Sequence, residues 1–383
     1  MHHTYTPRYA RSEKKKGSSL TAILAAAASL ALLAFMLFSV GNSGTSARSG
    51  TAEAGLMDKF DMYMTNRISD ALDGVLTIDK VYWLSDEDLV APVPDHSCYG
   101  ETDDPASLQW LLDAAADLLD GQEMYFSTDI QIMEGSKVIY YLDETILAIV
   151  WKEAVSNSVY TYAEVKIADA SQFRRFLAGG EYGSEKQFIT TEMAASVNAV
   201  VASSGDFYRF RNYGTIVHEG VVRRINSEEV DTCMIDDKGD LHFVYGGQIT
   251  DMEQAQQYVD ENNIRFSLAF GPVLVDNGQR CEPVNYPLGE IDQYFPRSAL
   301  CQMGELHYII AVVNSEGPYK FTPTISMFAA QIDKLGCEKA YALDGGQTAV
   351  IAMDDQLINS VHFGYQREIS DIIYFATAVP NGG

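Results

Sequence analysis

Apolar positions recur along the chain with two different periods. From Met57 to Asp73 they fall at helical spacing, with Phe60, Met64, Ile68 and Leu72 on one face and Gly74 as a stop. Asp104-Pro105 supplies an N-cap and first-turn pair. Leu108, Leu111, Leu112, Ala115 and Leu119 then form a stripe that Gly121 ends. Val138–Leu142 and Ile146–Trp151 predict two strands around Asp143-Glu144. From Val159 onward short strand patterns dominate. Hairpin turns are predicted at Glu219-Gly220, Lys238-Gly239 and Asn277-Gly278. Thr322 and Pro323 predict the start of another helix, lined by Ile325, Phe328, Ala329, Ile332 and Leu335 and ended by Gly336. A short buried strand, Ala340–Leu343, then empties into Asp344-Gly345-Gly346-Gln347-Thr348. The expected fold is α+β: a mixed, strand-rich sheet domain with flanking helices.

The N-terminus follows neither period. Leu20–Val40 is a 21-residue apolar run, preceded by Arg8, Arg11, Lys14, Lys15 and Lys16. About 20 such residues cross a bilayer as a helix, and the basic flank stays on the cytoplasmic side. Cleaved signal peptides carry apolar regions of about 7–15 residues. The small-residue site Ala52-Glu53-Ala54 lies well beyond the run, so an uncleaved anchor fits better. The expected organisation is a cytoplasmic basic tail at 1–19, a transmembrane anchor at 20–40 and a flexible Gly/Ser-rich tether at 41–55. A mixed α/β membrane-proximal region follows at 56–154, and the main domain occupies 155–383. The protein is thus expected in the cell membrane, single-pass, with its C-terminal domain extracellular.

Charge narrows the function. Of 383 residues, 53 are Asp or Glu and 27 are Lys or Arg, a net charge of −26. Hydrophobic residues make up 47%, which excludes a disordered chain. The acid excess excludes a general nucleic-acid binder, because phosphate backbones require clustered cations. An anionic ligand would need a local basic site. The five cysteines have no C-x-x-C spacing and are expected mainly as small buried hydrophobes. The histidines have no metal-pair spacing. Cofactors are therefore unknown, and a divalent cation stays open. The acidic stretch Asp236–Asp240 lacks calcium-loop spacing and is expected as a solvated hairpin turn.

There is no Walker A sequence, G-x-G-x-x-G, H-E-x-x-H or G-x-S-x-G motif. Carboxylates, a few arginines and glycine turns remain, an inventory suited to carbohydrate or phosphate-ester chemistry. The Asp-Gly-Gly turn at a strand end lets backbone approach an anion. It equally serves as a tight turn.

Six blocks, in order, resemble the phosphodiester glycosidase domain. Asn198–Tyr208 is similar to its "AINGDYY" segment, and Gly214–Val217 with Gly220–Val222 to its "G-x-V-I-x-x-G-x-V" hairpin. Phe270–Val275 resembles "FGPxLV", Pro296–Ala299 "PRTAIG", Leu343–Gly346 "LDGG", and Arg367–Asp371 "R-x-V-S-D". The chain departs from the family at Ser204, where Asn is usual, at Gln347, where a third glycine is usual, and at Asn314–Gly317, where an arginine is missing.

The resemblance implies hydrolysis of a sugar-1-phosphodiester, such as an N-acetylglucosamine-1-phosphate ester, on cell-surface or secreted glycans. It implies Asp344 and Asp206 as base and oxocarbenium stabiliser, in either order. Arg297 and Arg367 would hold the phosphate, with Gly345 and Gly346 as an anion-facing turn. Gly205, Gly271, Gln347, Thr348 and Asp371 would form the pocket. The expected partners are that glycan substrate and, through residues 20–40, the membrane. Two alternatives stand beside this. One is a catalytically degenerate glycan-binding or envelope-assembly protein, and the other a hydrolase that breaks the P–O bond.

Overall fold

The computed structural model describes Leu84 and residues 90–380, apart from 85–89, 207, 227–229, 283–285 and 288–290. The expected tail, anchor, tether and Met57–Asp73 helix lie outside the described residues. Among the described residues no helix is long and apolar enough to cross a membrane.

The chain begins with β1 (Tyr99–Thr102), α1 (Pro105–Ala114), α2 (Ala116–Leu119), β2 (Val138–Leu142), β3 (Ile146–Val155) and β4 (Ser158–Ile167). It continues through β5 (Phe173–Leu177), α3 (Thr190–Ser196), β6 (Val201–Ser204), β7 (Gly214–His218) and β8 (Val221–Asn226). Next come β9 (Thr232–Asp236), β10 (Leu241–Val244), α4 (Met252–Glu261), β11 (Ile264–Leu268), β12 (Val273–Asp276) and β13 (Gln279–Arg280). The last part holds β14 (Arg297–Gly304), β15 (His307–Asn314), α5 (Ile325–Ile332), β16 (Lys339–Leu343), β17 (Ile351–Met353), β18 (Gln356–Leu357) and β19 (Asp371–Phe375).

These strands form a nine-stranded sheet, β1-β2-β3-β4-β15-β14-β16-β12-β13, and two five-stranded sheets, β10-β9-β11-β7-β8 and β18-β17-β6-β19-β5. The large sheet is antiparallel throughout, not mixed. Short turns make this possible. Ser156 and Asn157 sit at φ 49° and 65°, a two-residue turn whose twist matches the flanking strands. Glu219-Gly220 (φ 52° and 71°) and Asn277-Gly278 (φ 50° and 69°) do the same, as their sequences predict.

The break expected between 154 and 155 falls inside the β3–β4 hairpin. Those strands pair from Ile146↔Ile167 to Val155↔Ser158. Residues 99–154 therefore belong to the same sheet as the strands that follow. Ser156 and Asn157 turn the chain within this hairpin and do not form a linker.

β4 and β15 are buried at every position, so both faces of the large sheet are covered. On one face Ala163, Val165, Ile167, Ile310 and Val312 pack against Phe173, Phe266, Ile373 and Phe375 of the smaller sheets. On the other, Tyr160 stacks with Phe328 of α5, and Tyr162 meets Trp151. The second face also buries Glu164. Its carboxylate accepts from the backbone N–H groups of Tyr125 (2.6 Å) and Phe126 (2.7 Å) and contacts His307 Nε2 at 2.8 Å.

The helix boundaries follow local chemistry. Asp104 caps α1 by accepting from Ser107 N at 2.8 Å. The left-handed residue that ends α2 is Asp120 (φ 47°), one position before the expected glycine. Thr324, not Thr322, caps α5, because Pro323 precedes the helix and Thr324 accepts from Met327 N. Gly336 takes the left-handed position after α5, as expected.

Glu164→Ala would strand two backbone donors and His307 in the interior. Each orphaned donor costs about 1–3 kcal/mol, so the unfolding free energy should fall by on the order of 3 kcal/mol. Urea denaturation of the variant beside the parent protein checks this.

Candidate active site

β16 runs between β14 and β12, and its register assembles a cleft at its C-terminal end. Ser298 pairs with Leu343, which sets Arg297 beside Asp344 on the next strand. On the other flank Gly271 N donates to Ala342 O at 3.1 Å and Ala342 N to Pro272 O at 3.0 Å. The Phe-Gly-Pro, Pro-Arg-Ser and Leu-Asp-Gly-Gly segments thus meet through backbone pairing. The parallel-sheet logic of a strand end does not apply here, because β16 is antiparallel to both neighbours.

Two glycines are required by contact. A Cβ on Gly345 would stand 2.4 Å from Pro296 O, and one on Gly271 (φ 72°) would stand 2.1 Å from the Tyr286 hydroxyl. Tyr286 donates to Phe270 O at 2.8 Å, and the Tyr341 hydroxyl accepts from Phe270 N at 2.8 Å. Two buried phenols therefore fix both polar groups of the residue beside Gly271.

The cleft holds about 180 Å³ and is lined by Asp344, Arg211, Arg297, Arg367, Ser298 and Phe295 among others. Asp344 is only 8% exposed. Burial pushes its carboxyl above the usual aspartate range, and the Arg367 guanidinium, paired with its Oδ2, opposes that shift. The other oxygen accepts from Gly345 N at 3.0 Å. Arg297 also reaches back to the carbonyl of Gln293 at 2.6 Å, which holds the loop before β14. The Ser298 hydroxyl is buried in the wall with no hydrogen-bond partner among the described residues. Three arginines thus line one cleft with the buried Asp344, in a chain of net charge −26, and Arg367 is paired with its carboxylate.

The glycine turn itself does not present its N–H groups to a ligand. Gly345 N is taken by Asp344, and Gly346 N donates to Pro296 O at 3.0 Å. Its role is close packing, not an anion nest. Gln347 bridges to the next loop: its side chain donates to Tyr365 O at 3.4 Å, and its carbonyl accepts from Arg367 N. Thr348 is buried and donates to Gly345 O at 2.7 Å.

Asp206 and Asp371 are placed elsewhere, in a sealed network around Arg175. Arg175 donates to Asp371 Oδ2 at 2.9 Å and to Asp206 Oδ1 at 3.0 Å. Asp206 also accepts from Tyr208 N at 2.8 Å and Ala269 N at 2.7 Å. All three side chains are at most 1% exposed. Asp206 does not line the cleft, and its acceptors are filled by the protein. Gly205 belongs to this network: a Cβ there would stand 2.0 Å from Asp371 Oδ2. Two carboxylates share one guanidinium, and Asp371 also accepts from Asp206 N at 3.2 Å and from the Ser370 hydroxyl at 3.4 Å. Burial, reinforced by the Asp206 charge, pushes Asp371 up to about 7.

A larger cavity of about 540 Å³ lies between β5, α4 and the β7–β8 hairpin and touches Arg174, His218 and Arg265. It lacks a buried carboxylate at a strand end. Among the described residues no group of three His, Cys, Asp or Glu is placed to hold a metal ion.

Residues 197–376 match the family model for phosphodiester glycosidases. That stretch is similar to a phosphodiester glycosidase domain. The cleft segments Phe270–Pro272, Pro296–Ser298, Leu343–Gly346 and Arg367 all fall within the matched residues. Among solved structures, the zebrafish N-acetylglucosamine-1-phosphodiester alpha-N-acetylglucosaminidase catalytic domain, auto-inhibited by its pro-peptide, is similar. It shares 16% identity at TM-score 0.49, over 68% of this chain and 92% of that one. A hypothetical protein from Synechocystis shares 13% identity at TM-score 0.45, over 63% of this chain and 64% of that one. No curated protein sequence matches the chain.

Sequence reasoning missed Arg211, Ser298 and the phenols of Tyr286 and Tyr341. It also missed Arg175, the centre of the buried network. Arg211 sits three positions after a matched block, which was the available signal. Arg175 carried none, being one of two arginines within a short strand.

Arg175→Met would leave two carboxylates buried without a cation, and the expected loss is about 3–5 kcal/mol in urea unfolding. Asp371 gives a pH signature. Because its folded value is raised, its stabilising effect is complete below the unfolded value near 3.8 and is lost as pH rises through about 7. Stability of Asp371→Asn should fall less steeply across that window than stability of the parent.

Proposed function

We propose that this cleft hydrolyses a sugar-1-phosphodiester at the anomeric carbon, releasing a free sugar and a phosphomonoester. The observation that carries the reading is the charge inventory: one buried carboxylate among three arginines. Ordinary glycoside hydrolysis needs a second carboxyl group to protonate an alkoxide leaving group. A phosphate leaving group is already a weak base and needs charge stabilisation instead. Arginine supplies that, because its planar fork matches phosphate oxygens and keeps its charge. Arg367, Arg297 and Arg211 then take the phosphate. Asp344, freed toward the sugar, activates water or stabilises the oxocarbenium-like ring. The unpartnered Ser298 hydroxyl is a further donor in the wall. The sugar is N-acetylglucosamine-like, and the substrate is a cell-surface or secreted glycan. The domain is held outside the cell membrane by residues 20–40, supported by that apolar run and its basic flank.

A glycan-binding protein without turnover is the second reading. It is favoured by the filled N–H groups of Gly345 and Gly346 and by the sealed Asp206.

The test follows reducing sugar released from N-acetylglucosamine-1-phosphate esters. Asp344→Asn should lower kcat by about 10²–10⁴. Since the ionised carboxylate is the active form, activity is lost as pH falls through its pKa. Arg367 lowers that pKa, so Arg367→Gln should move the acid limb to higher pH as well as raise KM. An unmoved acid limb contradicts the assignment, and absence of turnover from every ester favours the binding protein.

A further inference from the structure

Three large apolar side chains stand out from the described surface: Phe363 (75% exposed), Tyr365 (63%) and Tyr294 (61%). No other large hydrophobic described is as exposed, and all three are aromatic. Each lies within four positions of a cleft residue. Tyr294 directly precedes Phe295, and Phe363 and Tyr365 lead into Arg367. The 361–367 loop is fastened to the cleft turn by Gln347, through Tyr365 O and Arg367 N. Phe363 itself holds a left-handed backbone at φ 62°, which is unfavourable for a bulky residue. Strain of this kind persists where the surroundings impose it and clusters at ligand sites. Tyr294 is braced at its base by Phe321, with ring centroids 5.3 Å apart.

We infer that Tyr294, Phe363 and Tyr365 form a stacking platform for sugar rings at the mouth of the cleft, so that the substrate is an oligosaccharide or polymer. The inference rests on the reading of the cleft as a phosphodiester site and adds the part of the substrate that extends beyond the phosphate. A pyranose ring presents a face of C–H groups that is apolar and slightly positive. The face of an aromatic ring is negative and apolar, so the two stack without desolvating the hydroxyl edge. Exposed aromatic surface costs hydration free energy in the free protein, and three such side chains on segments that run into cleft residues mark a binding surface. Cleft arginines fix the charged linkage, and the adjacent rings engage neutral sugars on either side of it.

Two assays on the full-length protein separate this inference from the function it extends. The first measures binding to an array of neutral hexasaccharides of mannose, glucose, galactose and N-acetylglucosamine. The parent protein should bind at least one of them, and Tyr294→Ala and Tyr365→Ala should each weaken that binding at least fivefold. Leu357→Ala, at another exposed apolar position, should not. The second measures hydrolysis of the methyl ester of N-acetylglucosamine-1-phosphate, where both tyrosine variants should stay within about twofold of the parent. Hydrolysis of the methyl ester without binding to any hexasaccharide overturns the platform and keeps the enzyme. Hexasaccharide binding lost in the variants, with no hydrolysis, keeps the platform and overturns the enzyme. Binding to phosphatidylcholine vesicles that the same variants abolish, with no hexasaccharide bound, assigns the rings to a membrane and overturns the inference.

Discussion

Gly345 lies against the carbonyl of Pro296 so closely that no side chain fits between them. That contact closes the cleft. It lets the chain leaving β16 fold back across the start of β14, with Gly346 N donating to the same carbonyl. Arg297 and Asp344 are thereby held beside each other on paired strands. The same turn extends through Gln347 to the loop that delivers Arg367. A larger residue at position 345 would push the Asp344 turn away from the start of β14 and from Arg297.

The sheet and the site divide the acidic residues by environment. Asp206 and Asp371 are sealed around Arg175, where their charge joins β5, β6 and β19 to β11 and the loop after it. Asp344 is also mostly buried, but it opens on a cleft with three arginines. Two similar carboxylates at the ends of strands therefore have different prospects. Asp206 accepts from three protein donors, whereas Asp344 is paired with a partly exposed guanidinium for which an anionic ligand can compete. The local positive charge also answers the chain's overall acidity, since screening over about 8 Å leaves the near field to the arginines.

Much of this was legible in the sequence because it depends on local chemistry. Asn277-Gly278 and Glu219-Gly220 turn as their backbone preferences require. The α5–Gly336–β16 unit, emptying into Asp344, follows from spacing alone. Gly271, Arg297, Arg367 and Asp344, each in a block that the sequence marks, line one cleft. What escaped depends on register between distant strands. Nothing near Arg175 in the chain announces Asp206 and Asp371, which lie 31 and 196 positions away. The fate of the Gly345 and Gly346 N–H groups was hidden for the same reason, because their competitor, Pro296 O, arrives from another strand. The boundary at 154 falls inside a hairpin because the strand-rich pattern from Val159 continues a sheet that earlier strands have already begun.

The central claim is that bond cleavage occurs at the sugar carbon while the arginines retain the phosphate. Hydrolysis of an N-acetylglucosamine-1-phosphodiester in ¹⁸O-labelled water, followed by mass spectrometry of both products, tests it directly. The account predicts the label in the sugar hydroxyl and none in the phosphomonoester. Label in the phosphate would contradict it.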